Sequence, residues 1–71
     1  MDNLKIGRYI QHLRKKAGMT QKELSKKTGI AQGDISKLER GNSNPSIRTL
    51  QRLAAGMGMS IQLKFIPNGN A

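Results

Sequence analysis

The 71-residue sequence holds no cysteine, two aromatic residues, four acidic residues, one histidine and two prolines. Each shortage removes a class of explanation. Without cysteine there is no disulfide framework and no thiolate metal site, which fits a reducing cytoplasm. The single histidine, His12, and the scattered acids Asp2, Glu23, Asp34 and Glu39 make no catalytic or metal-ligating constellation, so neither an enzyme nor a bound cofactor is expected. Tyr9 and Phe65 are the only rings, too few for a protein that grips single-stranded nucleic acid by stacking bases. No apolar run approaches the roughly 20 residues that span a bilayer. The opening MDNLKIGRY lacks the apolar core of a secretory signal. No helix combines a broad apolar face with the bulky anchors of a membrane-surface helix. There are no internal repeats, no linker and no sign of a second domain.

What the chain has in excess is positive charge. Thirteen Lys and Arg against four Asp and Glu give a formal charge of +9, and ten of the thirteen lie within residues 1–40. The bland reading of a basic surface is solubility. A field concentrated in one region instead favours a polyanion, of which nucleic acid is the commonest. A domain this short buries a modest core and is marginal alone, which makes an oligomer a reasonable expectation.

The apolar spacing predicts a chain of short helices. Ile6, Ile10, Leu13 and Ala17 share one face of a first helix over Leu4 to Ala17, with Asn3 as N-cap and Gly18 closing the C-terminus. Thr20 and Glu23 form a capping box that starts a second helix at Gln21. Leu24, Ile30, Ile35 and Leu38 are the apolar positions of Gln21 to Arg40, QKELSKKTGIAQGDISKLER. Ser25 is small where two helices must approach, and Gly29 sits at the bend between them, where a positive φ is cheap only for glycine. A third helix is expected over Gln32 to Glu39. Ala31 is a poor N-cap for it, and Asp34 suits its positive end. The turn formers of Arg40 to Ser46, RGNSNPS, lead to a fourth helix capped by Ser46. Its expected inner face is Ile47, Leu50, Leu53, Ala54 and Met57, and Gly58 ends it. Ile61, Leu63 and Phe65 alternate with Gln62 and Lys64, a strand pattern over 60–66. Residues 67–71 read as a tail.

Two helices meeting at a tight glycine turn can be an ordinary αα-hairpin or a helix-turn-helix whose second helix enters the DNA major groove. The blocks IGRYIQHLRKKAGMTQKEL, IAQGDISKLERGNSNPS and LQRLAAGMG, between Ile6 and Met59, resemble the Xre family of phage repressors and Cro proteins, in order and with family spacing. The resemblance implies an all-α, lambda-repressor-like bundle that binds double-stranded DNA over residues 1–59. It implies that Gln21, at the start of the second helix, meets a phosphate. It also implies that Arg40, Asn42 and Ser43 lie along the DNA backbone, with Ser43 or Asn44 within reach of a base edge. Gln32, Gly33, Ser36 and Lys37 form the outer face of the third helix. Gln can bridge the N6 and N7 edge of adenine, and Lys can donate to guanine O6 or N7. Glu39 is expected to pair with Arg14 and join the first and third helices. Thr28 stands where the family usually has Leu, which suggests looser packing at that turn.

The function these features imply is a cytoplasmic transcriptional regulator, a repressor that occupies a near-palindromic operator as a homodimer. The strand 60–66, with Ile61, Leu63 and Phe65 on one face, is the expected dimer contact. The alternative is an antitoxin of the same family, which binds its own operator and neutralises a cognate toxin. Some such antitoxins end in a short strand after the fourth helix.

Overall fold

Four helices form among residues 2–69, the part of the chain described by a computed structural model: α1 Asn3–Lys16, α2 Gln21–Thr28, α3 Gln32–Glu39 and α4 Ile47–Gly56. The ends of the expected 1–59 and 67–71 spans, Met1 and residues 70–71, lie outside the described residues. The local chemistry accounts for the boundaries. α1 begins one residue earlier than Asn3 would allow as a cap, because the Asp2 carboxylate accepts from the Lys5 amide at 2.7 Å. The Thr20–Glu23 capping box is formed in both directions, at 3.0 and 3.1 Å. Donation from the Thr20 backbone amide is the largest of the effects that hold the Glu23 carboxyl below its ordinary pKa. Gly29 closes α2 with φ 74°, a left-handed conformation that costs a side-chain-bearing residue about 1–2 kcal/mol. Ser46 caps α4 by accepting from the Thr49 amide at 3.1 Å.

Ile10, Leu24, Ile35, Leu38 and Leu53 make one buried cluster, with Ile6, Met19, Ile30, Leu50 and Met57 packed around it. Every helix contributes, so no helix can leave without opening the core. Burying each large side chain contributes roughly 1.5–3 kcal/mol. α1 lies on α3, and α2 lies on both α3 and α4. Two residues expected inside are not. Ile47 is 54% exposed, because it occupies the first turn of α4 beyond the edge of the bundle. Ala17 is exposed where α1 has already ended.

The C-terminal expectation is corrected. No strand forms among the described residues, and 60–66 is irregular chain. Ile61 is half-buried, while Leu63 is 65% and Phe65 fully exposed. Alternation of apolar side chains gives a strand its two faces but does not make its ladder. The backbone N–H and C=O groups need a neighbouring strand, and the helical bundle offers none.

Two glycines set how closely the helices approach. A Cβ on Gly7 of α1 would stand 2.1 Å from the Leu38 carbonyl oxygen, so α1 rides directly on the last turn of α3. A Cβ on Gly56 would stand 2.5 Å from the Thr28 methyl carbon. Gly56, which helix propensity alone would penalise, is therefore the contact that lets α4 close on α2.

The polar tie between helices is buried. Arg14 of α1 donates to Glu39 of α3 through Nε at 2.7 Å and through its Nη2 at 2.9 Å, a bidentate pair. The third guanidinium nitrogen donates to the Met19 carbonyl at 2.8 Å, and the Gln21 amide of α2 donates to Glu39 at 3.0 Å. Arg14 and Glu39 are 7% and 4% exposed. Burial pushes the Glu39 carboxyl up, but hydrogen bonds from Arg14 and Gln21, with the charges of Arg14 and Lys15, outweigh it and leave the pKa lowered. The Arg14 pKa is raised, chiefly by its hydrogen bond to Glu39.

Gly7→Ala is expected to lower stability by about 1–3 kcal/mol or more through overpacking against backbone. Gly33→Ala, where a Cβ meets nothing within 4 Å, should raise it by up to about 1 kcal/mol. Thermal unfolding of the two variants measures both. Removing either Arg14 or Glu39 alone is expected to cost about 3–5 kcal/mol, since the other charge is left buried. The double-mutant cycle should give an interaction energy above the surface-pair range of about 0–1 kcal/mol, and additivity of the single changes would show no coupling. Because Glu39 titrates lower in the folded state, its stabilisation is complete above the ordinary Glu value of about 4.3 and is lost as pH falls through the lower folded value. Urea midpoints measured from neutral to acid pH should fall less steeply for Glu39→Gln than for the parent.

Candidate nucleic-acid interface

α3 turns one side to the core through Ile35, Leu38 and Glu39. The helical period then sends Gln32, Gly33 and Lys37 outward, all exposed, with Ser36 half-buried between the two sides. The chain reverses immediately after the helix. The Gly41 amide donates to the Leu38 carbonyl at 3.0 Å and the Asn42 amide to the Lys37 carbonyl at 2.9 Å. This turn folds Arg40, Asn42 and Ser43 back beside the end of α3, with Arg40 and Asn42 exposed and Ser43 half-buried. An open depression of about 660 Å³ lies between α3 and this loop, lined by Asp34, Lys37, Ser43 and Asn44 above the buried Ile35 and Leu53. The residues assembled here offer amide, hydroxyl, ammonium and guanidinium groups on one stretch of surface. That set can donate to phosphate oxygens and to the acceptor-rich edges of bases.

No side chain caps the N-terminus of α3, because Ala31 carries no acceptor. The first N–H groups of the helix are thus left for an external acceptor or for water. Gly33 is not required by packing within the chain, since nothing lies within 4 Å of a Cβ built there. Asp34, exposed in the first turn, complements the helix dipole.

Gln21 stands apart from the other candidates. It is half-buried at the first position of α2, and one of its amide N–H groups is already committed to Glu39. Its second N–H and its carbonyl oxygen remain. The hydrogen bond to Glu39 therefore fixes the direction in which the Gln21 amide points.

Three side chains hold the α2–α3 turn through four hydrogen bonds that have no signal in the sequence. A guanidinium nitrogen of Arg52, on α4, donates to the Thr28 carbonyl at 2.7 Å. This places positive charge at the negative end of α2, which favours the helix dipole. The Thr28 hydroxyl donates to the Leu24 carbonyl at 2.8 Å and accepts from the Ile30 amide at 3.2 Å. Ser25 donates to the Ile30 carbonyl. Thr28 thus tightens the turn where looser packing was expected. Arg52 is exposed on α4, and from its position in the sequence it reads as one more solvated cation.

Among the described residues there is no group of three or more His, Cys, Asp or Glu side chains placed to hold a metal ion. No helix among them is long and apolar enough to cross a membrane.

Known proteins share both this sequence pattern and this fold. The HTH_3 model, described as helix-turn-helix, matches residues 10–64. The uncharacterized HTH-type transcriptional regulator y4dJ of Sinorhizobium fredii is 40% identical over 55 residues, covering 78% of this chain and 71% of that protein. The HTH-type transcriptional regulator DdrOP3 of Deinococcus deserti is 34% identical over 58 residues, and this chain spans only 45% of its length. The restriction-modification controller protein C.AhdI of Aeromonas hydrophila superposes with a TM-score of 0.78 at 26% identity, over 82% of this chain and 88% of that one. The controller protein C.Esp1396I, solved as a tetramer on its natural 35-base-pair operator, superposes with a TM-score of 0.77 at 31% identity, over 82% and 76% of the two chains. The chain belongs to the HTH_3 helix-turn-helix family, of the Xre-like type that its sequence blocks resemble.

Proposed function

We propose that the protein is a transcriptional regulator that binds operator DNA by laying α3 in the major groove, and that it represses by occupying a promoter. The observation that carries this reading is the polar outer face of α3 continued by the folded-back loop, set in a chain of charge +9. Gln32 and Lys37 read base edges. Ser36 lies beside them, and Gly33 lets the backbone approach closely. Gln21, Arg40, Asn42 and Ser43 position the phosphate backbone. Arg14 and Glu39 do not touch DNA in this reading, and their task is to hold α1, α2 and α3 in register.

Repression by occupancy needs a long-lived complex and no chemistry. A chain this small gains affinity by binding as a two-fold dimer, which sets two recognition helices about 34–36 Å apart on one face of the duplex. The operator is then a near-palindrome. The relative C.Esp1396I, which sits on its operator as an assembly of copies, supports this arrangement.

Selection of bound oligonucleotides from a random pool should return an inverted repeat. Affinity for the selected duplex should fall steeply with salt, with a log–log slope of about −0.9 per phosphate neutralised. Binding that is absent at low salt, or insensitive to salt, overturns the reading. Gln32→Ala and Lys37→Ala should each cost about 1–3 kcal/mol at particular base pairs and relax preference there. Arg40→Ala should weaken operator and random DNA about equally. A uniform loss in Gln32→Ala across both DNAs removes that residue from base readout.

A further inference from the structure

The face of the bundle away from α3 is unfinished. α1 lies on α3, and α2 on α3 and α4, but α1 and α4 make no comparable contact with each other. Between them runs an apolar groove of about 440 Å³, lined by Ile6, Tyr9 and Leu13 of α1, Leu50 of α4, and Met57 and Ile61 after it. No charged residue lines it, in a chain that carries thirteen cations. No residue assigned above to DNA lines it either. Tyr9 and Met59 at its edges are 63% and 42% exposed.

The C-terminal segment starts in this groove and then leaves it. Residues 59–62 line it, whereas Leu63, Phe65 and Ile66 are 65%, 104% and 81% exposed. The radius of gyration is 13.1 Å, against about 11 Å for a compact domain of this length, so the segment projects from the bundle. From Ile61 to Ile66 there is no Gly, Pro, Asn, Asp or Ser, the residues that make a reversal inexpensive. The segment is poorly made to fold back into the groove it has just left.

We propose that this face is covered by a second copy of the chain, with Leu63, Phe65 and Ile66 of each copy seated in the α1–α4 groove of the other. The contact deepens the dimer of the function given above and rests on that reading for its two-fold symmetry. Groove and plug occur on one chain, so the contact is self-complementary: each copy gives what it receives. The charge argument points the same way. Two chains of +9 repel, and they meet more cheaply across a groove that itself presents no charge, to which the docking segment brings one cation, Lys64. A partner chosen for its acidity would need a basic lining, which this groove lacks. The groove contains no residue of α3.

The test uses the full chain. Light scattering over about 1–100 µM protein should show a dimer, and L63E/F65E should raise the dimer dissociation constant at least about 30-fold. Both positions are exposed in the single chain, so circular dichroism should show unchanged helix content. Tyr9→Glu, on the groove wall, should have the same effect from the other side. Phe65 replaced by a photoreactive benzoylphenylalanine, in a mixture of isotopically light and heavy chains, should yield light–heavy crosslinks to Tyr9, Leu13 or Met57. A parent chain that is monomeric throughout the range overturns the proposal and leaves the face to an unlike protein. So does a dimer that L63E/F65E leaves intact, or a crosslink formed only within one chain. Co-sedimentation of a monomeric parent with phosphatidylglycerol vesicles overturns it in favour of a lipid surface. Failure of the DNA reading is separately visible: a crosslinked dimer that ignores duplex DNA at low salt supports this contact while overturning the function. A monomeric L63E/F65E that still binds a single half-site supports both.

Discussion

Glu39 is the point at which α1, α2 and α3 are tied to one another. Its two carboxylate oxygens receive Arg14 twice and Gln21 once, and Arg14 also reaches the Met19 carbonyl in the link between α1 and α2. Hydrophobic packing is non-directional and would tolerate small rotations of one helix on another. A bidentate guanidinium–carboxylate pair would not, because both bonds lengthen as the helices turn. The pair is costly to bury and weak evidence of net stability in itself. What it supplies is a fixed angle between α1 and α3, and Gln21, bonded to the same carboxylate, brings α2 into that register.

The same economy governs the turn between α2 and α3. Gly29 gives the chain its left-handed step, but a permissive residue does not choose a conformation. The choice comes from hydrogen bonds made by Ser25, Thr28 and Arg52 around it. Gly56 belongs to this arrangement, since its missing side chain admits the Thr28 methyl group. Threonine and glycine thus form a matched pair at the α2–α4 contact, each residue poor by local propensity and sound in place. Gly7 performs the corresponding service between α1 and α3.

The C-terminal segment marks where local pattern and tertiary structure part. Its alternation is a statement about side chains, and it holds equally for a strand and for an extended chain with two unlike sides. Helices satisfy their backbone groups within one segment, so periodicity plus a cap is nearly sufficient to place them. Strands satisfy theirs between segments, so periodicity without a neighbour places nothing. In the single chain, the residues up to Gln62 line the bundle's groove, whereas Leu63, Phe65 and Ile66 are exposed.

The sequence by itself determined the four helices, the capping residues Thr20 and Ser46, the glycine bend, and the set Leu24, Ile35, Leu38 and Leu53 of the core. These follow from the 3.6-residue period and from side-chain chemistry within three or four positions, all local to the chain. Its likeness to a family supplied the expectation that Arg14 meets Glu39, twenty-five positions apart, which neither spacing nor composition implies. Tertiary structure alone decided that Gln21 joins that pair, that Arg52 closes the end of α2, that Gly7 and Gly56 are contact surfaces, and that Ile47 lies outside. Each of these depends on which parts of different helices come to face one another. A sequence records a helix's apolar stripe but not the depth and rotation at which two stripes interlock.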